Sequence, residues 1–139
     1  MKNMLLALAI SGIALSTSAQ SGTSDYDLIS TTLNYYLVGG TNNDFSTLKK
    51  AFHQDATMQF IGGEGYKSVN AIDFFEKGMK PGPAQNRKTQ IASIEMAGNA
   101  AKATLHIDYE NFRFIDYMTL LKVDGEWKIV SKVFYRQTW

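Results

Sequence analysis

From Arg87 to the end of the chain the sequence reads as a meander of four strands, and this stretch constrains the fold more than any other. Gly98-Asn99, Glu110-Asn111 and Asp124-Gly125 stand where two-residue hairpin turns belong, Asp-Gly being the strongest signal. Turns of that length dictate which residues face each other. The first pairs Ala92 with Leu105, Ile94 with Ala103 and Met96 with Ala101. The second pairs Leu105 with Asp116, Ala103 with Met118 and Ile107 with Phe114. The third pairs Asp116 with Val133, Met118 with Ser131 and Leu120 with Ile129. All three registers put the same largely apolar set on one face.

The opposite face sets Glu95 against Lys102, Arg87 against Glu110 and Asp108 against Arg113, the opposite-charge pairs of a wetter surface. Towards the last two strands it becomes mixed, with Ile115 facing Phe134, Tyr117 facing Lys132 and Thr119 facing Val130. Such a face suits either a homodimer contact or a partly covered surface.

Asp116 is the anomaly on the inward side. A buried carboxylate needs partners. The register offers Ser131 and Tyr135 as diagonal hydroxyl neighbours, with Tyr35 or Tyr36 reaching down from a helix. Two readings stay open: a structural acceptor of hydrogen bonds, or the polar group of a ligand pocket. Space above the small Ala92 and Ala103 suits the second.

Upstream, helices come first. Residues 24–40 have Ser24 or Asp25 as cap, one face of Ile29, Leu33, Tyr36 and Leu37, and Gly39-Gly40 as the stop. Asp44 caps a second helix burying Phe45, Leu48, Ala51 and Phe52. Residues 55–61 alternate as a strand, and the glycine-rich turn at 62–65 returns the chain to a short partner around Tyr66. Ser68 and Gly78 bracket a third, short helix. Both prolines fall in the following loop. The class is α+β, in a single domain over 20–139.

Residues 1–19 have the form of a signal peptide: Lys2, twelve residues from Met4 to Leu15 dominated by apolar side chains, then Thr17 and Ala19 ahead of Gln20. The run is too short to span a bilayer, which takes about 20 residues. Export to the periplasm or medium, with cleavage near Ala19/Gln20, is the expectation, and no membrane anchor remains. Loss of Lys2 leaves 13 basic against 13 acidic residues, so no electrostatic case exists for nucleic acid. The chain has no cysteine, which removes disulfides, thiol nucleophiles and thiolate metal sites.

Other chemistry is thin. His53 and Asp55 could orient an imidazole as a general base, or simply close the helix-to-strand turn. His106 falls on the outer face. Lys128 and Lys132 alternate outward as solvating charges, while Trp127 turns inward. With two histidines no His-rich metal site is expected, and nothing calls for a cofactor.

The order of elements resembles the nuclear transport factor 2-like (cystatin-like) superfamily, over nearly all of residues 25–137. The run from Asp116 to Phe134, with Asp124-Gly125 and Trp127 inside it, and the His53–Ala56 segment are similar to the putative lumazine-binding branch. Relatives of that branch include SnoaL-like polyketide cyclases and ketosteroid isomerases. The resemblance implies a cone, a curved and mostly antiparallel sheet closed by N-terminal helices around a pocket, often in a dimer. In catalytic relatives a carboxylate in the cone acts as general base, which would fall to Asp116 here.

The leading expectation is therefore an exported domain holding a small apolar or aromatic molecule. Its pocket would be lined by Tyr36, Met58, Phe60, Leu105, Phe114, Met118, Ser131 and Tyr135 around Asp116. Two alternatives accompany it: an isomerase- or cyclase-like enzyme with Asp116 as base, assisted by a tyrosine or His53, and a dimeric scaffold without ligand.

Overall fold

The computed structural model describes residues 22–139, so the expected signal peptide lies outside the described residues. The chain runs α1 (Asp25–Thr41), α2 (Phe45–Lys49), β1 (Phe52–Gly62), β2 (Gly65–Asn70), α3 (Ala71–Gly78), β3 (Lys88–Ala97), β4 (Ala100–Asp108), β5 (Phe112–Val123) and β6 (Glu126–Thr138). One open six-stranded sheet has the order β2-β1-β6-β5-β4-β3. All its pairs are antiparallel except β1 with β6, which run parallel. The α+β class and the meander of the last four strands are as the sequence indicates.

Ser24 caps α1 by accepting from the Asp27 amide, and Asp25 and Asp27 face the positive end of its dipole. The helix does not stop at Gly39-Gly40 but runs to Thr41. Gly39 serves close approach instead: a Cβ there would lie 2.8 Å from Leu48 Cα, so its absence lets α2 fold back onto α1. The chain turns at Asn43, whose φ of 53° lets Asp44 return its amide to the Gly39 carbonyl at 2.8 Å. The third helix is capped by Asn70, which accepts from Asp73, while Ser68 lies in β2. Asp124 and Gly125 both have positive φ, as the tight turn between β5 and β6 requires.

Two bulges alter the register expected from the turns. In β3, Ile91 pairs with Leu105 and Ser93 with Thr104, leaving Ala92 as the extra residue. In β6, Ile129 pairs with Leu120 and Ser131 with Thr119, leaving Val130 extra. Beyond Val130 every side chain of β6 changes face relative to strict alternation. Phe134 and Lys132 turn inward; Ser131, Val133 and Tyr135 turn outward. The inner row thus reads Ile91–Leu105–Asp116–Phe134, and Lys132 pairs with Met118. Outside, Ile115 faces Tyr135 and Tyr117 faces Val133.

Ile29, Leu33, Tyr36 and Leu37 of α1 pack with Leu105, Ile107, Met118, Leu120 and Ile129 of the sheet in one core. Each large side chain so buried contributes about 1.5–3 kcal/mol relative to exposure. The start of α1 is pinned to the sheet by Asp25, which accepts from Lys122 Nζ at 2.8 Å and Trp127 Nε1 at 3.0 Å. Thr32 adds a buried hydroxyl donation to the Trp127 carbonyl at 3.0 Å. On the outer face Glu95–Lys102 and Asp108–Arg113 pair as expected. Arg87 does not face Glu110; it precedes β3 and turns inward under α1.

Candidate functional site

The concave side of the sheet, α1, α3 and the loop before β3 enclose a cavity of about 260 Å³. Its wall is mainly apolar, with Met58 from β1, Phe74, Phe75 and Met79 around α3, and Phe114 and Phe134 from the sheet. Edge and stacked aromatic contacts hold that wall: Phe114 meets Phe134 edge-on at 5.6 Å, and Phe60 stacks behind Phe134 at 4.9 Å. Five residues bring polar groups to it: Tyr36, Gln85, Arg87, Tyr109 and Lys132.

Asp116 is completely buried, but it lies behind the cavity wall rather than in it. Tyr36 donates its hydroxyl to Asp116 Oδ2 at 2.7 Å. Lys132, only 4 % exposed, brings Nζ within 2.7 Å of Oδ1. That second contact is a close ion pair without a well-directed hydrogen bond, since Oδ1 accepts none. The Lys132 ammonium also sits 4.1 Å from the centre of the Phe134 ring, a cation–π contact that stabilises it in apolar surroundings. Burial, reinforced by the Asp116 carboxylate, pushes the Tyr36 hydroxyl well above the ordinary phenol value. Burial pushes the Lys132 ammonium down, and Asp116 works against that shift.

At the other end of the cavity Arg87 fastens the end of α1. Its Nε donates to Thr41 Oγ1 at 2.9 Å, its Nη2 to the Leu37 carbonyl at 3.1 Å, and its Nη1 to Tyr109 Oη at 3.0 Å. Tyr109 donates its own hydroxyl to Gln85 Oε1 at 2.7 Å, and Gln85 Nε2 donates to the Gly40 carbonyl at 2.8 Å. Gly40 leaves room for the guanidinium, because a Cβ would lie 2.5 Å from Arg87 Nη2 and the arginine would have to shift.

Of the residues expected to line a pocket, Tyr36, Met58 and Phe114 do so. Phe60, Leu105 and Met118 lie outside the lining, Leu105 and Met118 buried in the core and Phe60 half-buried behind Phe134. Ser131 and Tyr135 are corrected: the Val130 bulge carries them to the other face, where Tyr135 is 66 % exposed and Ser131 approaches Gln59. Lys132 is corrected in the opposite sense, from a solvating charge to a buried one. His53 stands in β1 away from the cavity, its Nδ1 accepting from the Asp55 amide at 3.2 Å. Among the described residues no cluster of three metal-ligating side chains occurs.

The strict alternation of β6 conceals Lys132, but a signal exists. Apolar residues stand side by side at Ile129-Val130 and Val133-Phe134, and two such doublets in one strand mark a slip of period. Arg87 and Gln85 carry no comparable mark, since their positions depend on how the loop after α3 crosses the mouth of the cone.

A bent sheet with helices over its concave face and a lined cavity between them defines a nuclear transport factor 2-like ligand-binding domain. The profile of the family described as "Putative lumazine-binding" matches residues 24–135, and the chain belongs to that family. Solved structures of similar proteins support the fold. A protein of unknown function from Methylobacillus flagellatus KT is 32% identical with a TM-score of 0.73, over 86% of this chain and 97% of its own. One from Shewanella baltica OS155 is 29% identical with a TM-score of 0.74, over 85% of this chain and 100% of its own. A ketosteroid isomerase-like protein from Erwinia carotovora atroseptica shares the fold at 11% identity, with a TM-score of 0.62 over 78% of this chain and 93% of its own. The curated protein "Aldolase FrzH" of Cladobotryum sp is 26% identical over 117 residues, 81% of this chain and 91% of that protein.

Proposed function

We propose that this chain is an exported domain that binds a small, largely aromatic molecule in the cone. The observation that carries the reading is the aromatic cavity itself, open space bounded by Phe74, Phe75, Phe114 and Phe134 with a few fixed polar groups. At about 260 Å³ it suits a ligand of one or two rings. Asp116 is committed to Tyr36 and Lys132, so it serves the site by holding those two side chains in place.

Methionine methyl NMR during a thermal-shift screen tests the reading. A panel of pterins, lumazines, flavins, steroids and aromatic polyketides is expected to yield a compound that stabilises the protein and moves the Met58 and Met79 methyl signals. Stabilisation that moves only exposed Met96 would place binding elsewhere and end the proposal. Export is tested separately by the N-terminal mass of the protein recovered from a bacterial periplasm, expected to begin at Gln20.

A catalytic reading has one specific observation in its favour: a lysine amine at the cavity wall whose hold on its proton is weakened by burial. It agrees with the name of the Cladobotryum relative. In this reading Lys132 Nζ adds to a carbonyl carbon and water leaves, giving an imine. Borohydride reduction in the presence of an aromatic aldehyde, followed by peptide mapping, would show a reduced adduct on Lys132. Labelling confined to exposed lysines would sink it. The homodimer reading rests on Tyr117, Val133 and Tyr135, which form an exposed strip on the outer face.

A further inference from the structure

The charges around the cavity do not cancel, and the excess indicates what the ligand carries. Lys132 is matched by Asp116 at 2.7 Å. Arg87, which also lines the cavity, is half-buried and has no carboxylate partner among the described residues: its three acceptors are two hydroxyls and a main-chain carbonyl, all neutral. Three of the five guanidinium N–H groups are used in this way, which leaves two. The other polar groups on the wall have internal obligations. Tyr36 donates to Asp116, Tyr109 to Gln85, and Gln85 to the Gly40 carbonyl and to Asn43 Oδ1.

A half-buried guanidinium whose acceptors are all neutral is incompletely compensated, and an anion that enters the cavity would supply the missing counter-charge. Resting on the reading of the cone as a small-molecule site, we propose that its ligand is an aromatic monocarboxylate. Its carboxylate meets the free N–H groups of Arg87, and its rings lie among Phe74, Phe75, Phe114 and Phe134. One unmatched positive charge favours a monoanion over a phosphate dianion. The planar fork of a guanidinium suits a carboxylate, and the phenyl rings supply the area that holds the apolar part. The mouth of the cavity is fixed in shape because Arg87 is tied to α1 through Thr41 and Leu37 and to the sheet through Tyr109. Arg87 is thereby both a positioning group for the end of α1 and the specificity-determining residue of the site.

The test compares 2-naphthoate with its neutral counterpart 2-naphthamide by isothermal titration, on the purified protein and on Arg87→Gln. Naphthoate is expected to bind wild type at least about tenfold more tightly than the amide, a difference of about 1.4 kcal/mol. Arg87→Gln is expected to remove that preference, so that both probes bind the variant alike, with circular dichroism and a cooperative melt certifying that the variant is folded. Equal binding of both probes to wild type overturns the carboxylate assignment and leaves the aromatic cavity reading standing. Failure of both probes to bind overturns the two together. A naphthoate preference that survives in Arg87→Gln overturns the role given to Arg87. If that variant does not fold, the wild-type ratio between the two probes still decides the ligand class, and Arg87→Lys decides the residue: a retained charge without the fork is expected to keep only part of the preference.

Discussion

At the scale of single residues, the molecule turns on how Asp116 is held. A carboxylate at full burial is tolerable because an ammonium and a phenol converge on it. Removing one member leaves the other charge stranded, so Asp116→Asn and Lys132→Met are each expected to cost about 3–5 kcal/mol in urea unfolding. The double variant Asp116→Leu/Lys132→Met removes both charges and is expected to be more stable than either single change. A double variant as unstable as the sum of the singles would mean that the pair is not the coupled unit described. Tyr36→Phe loses one hydrogen bond to a charged acceptor and is expected to cost about 1.5–3 kcal/mol by the same measurement.

At the scale of elements, glycine positions separate close approach from chain termination. Gly39 and Gly40 lie inside α1, not beyond its end, because α2 and Arg87 occupy the space where their side chains would be. Gly39→Ala is therefore expected to destabilise by roughly 1–3 kcal/mol through overpacking against Leu48. Gly78 closes α3 with open space around it, and Gly78→Ala is expected to be neutral or to stabilise by up to about 1 kcal/mol. Thermal unfolding of the two variants side by side checks the contrast; similar effects at both sites would contradict the packing of α1 on α2. The β6 bulge works at the same scale, since one extra residue decides which of Lys132 and Tyr135 meets the cavity.

For the molecule as a whole, acid sensitivity follows from three carboxylates held below their ordinary values. Hydrogen bonds from Thr47 and Ser46 bring Asp44 down to about 2, Lys122 and Trp127 lower Asp25, and Arg113 lowers Asp108. A carboxylate depressed on folding stabilises the native state fully above its unfolded value and loses that contribution as pH falls through its folded value. Stability is thus expected to be level near neutrality and to decline as pH drops from about 4 towards about 2. Urea midpoints between pH 6 and pH 2.5 measure this, and Asp44→Asn, which keeps a cap but cannot titrate, should flatten the curve. A profile unchanged by that substitution would assign the acid limb to other groups.

Much of this architecture is legible along the chain because it rests on local rules. Caps at Ser24 and Asp44, the Asp124-Gly125 turn and the inward pairing of Leu105 with Asp116 each depend on a few neighbouring residues, and each stands as the residues indicate. Asp116 is singled out as an inward carboxylate by strand alternation alone. Its partners are another matter. The bulge at Val130 exchanges Ser131 and Tyr135 for Lys132 and Phe134, and the loop before β3 delivers Arg87 to the end of α1, where Thr41 is 46 residues away in sequence. Alternation carries no information about where one residue is inserted to bend a sheet, and no local rule says which loop crosses the mouth of a cone. Sequence therefore determined the class, the order of elements and the buried acid; tertiary packing decided that a lysine pairs with that acid and a tyrosine donates to it, and that an arginine reaches the cavity wall with only neutral acceptors.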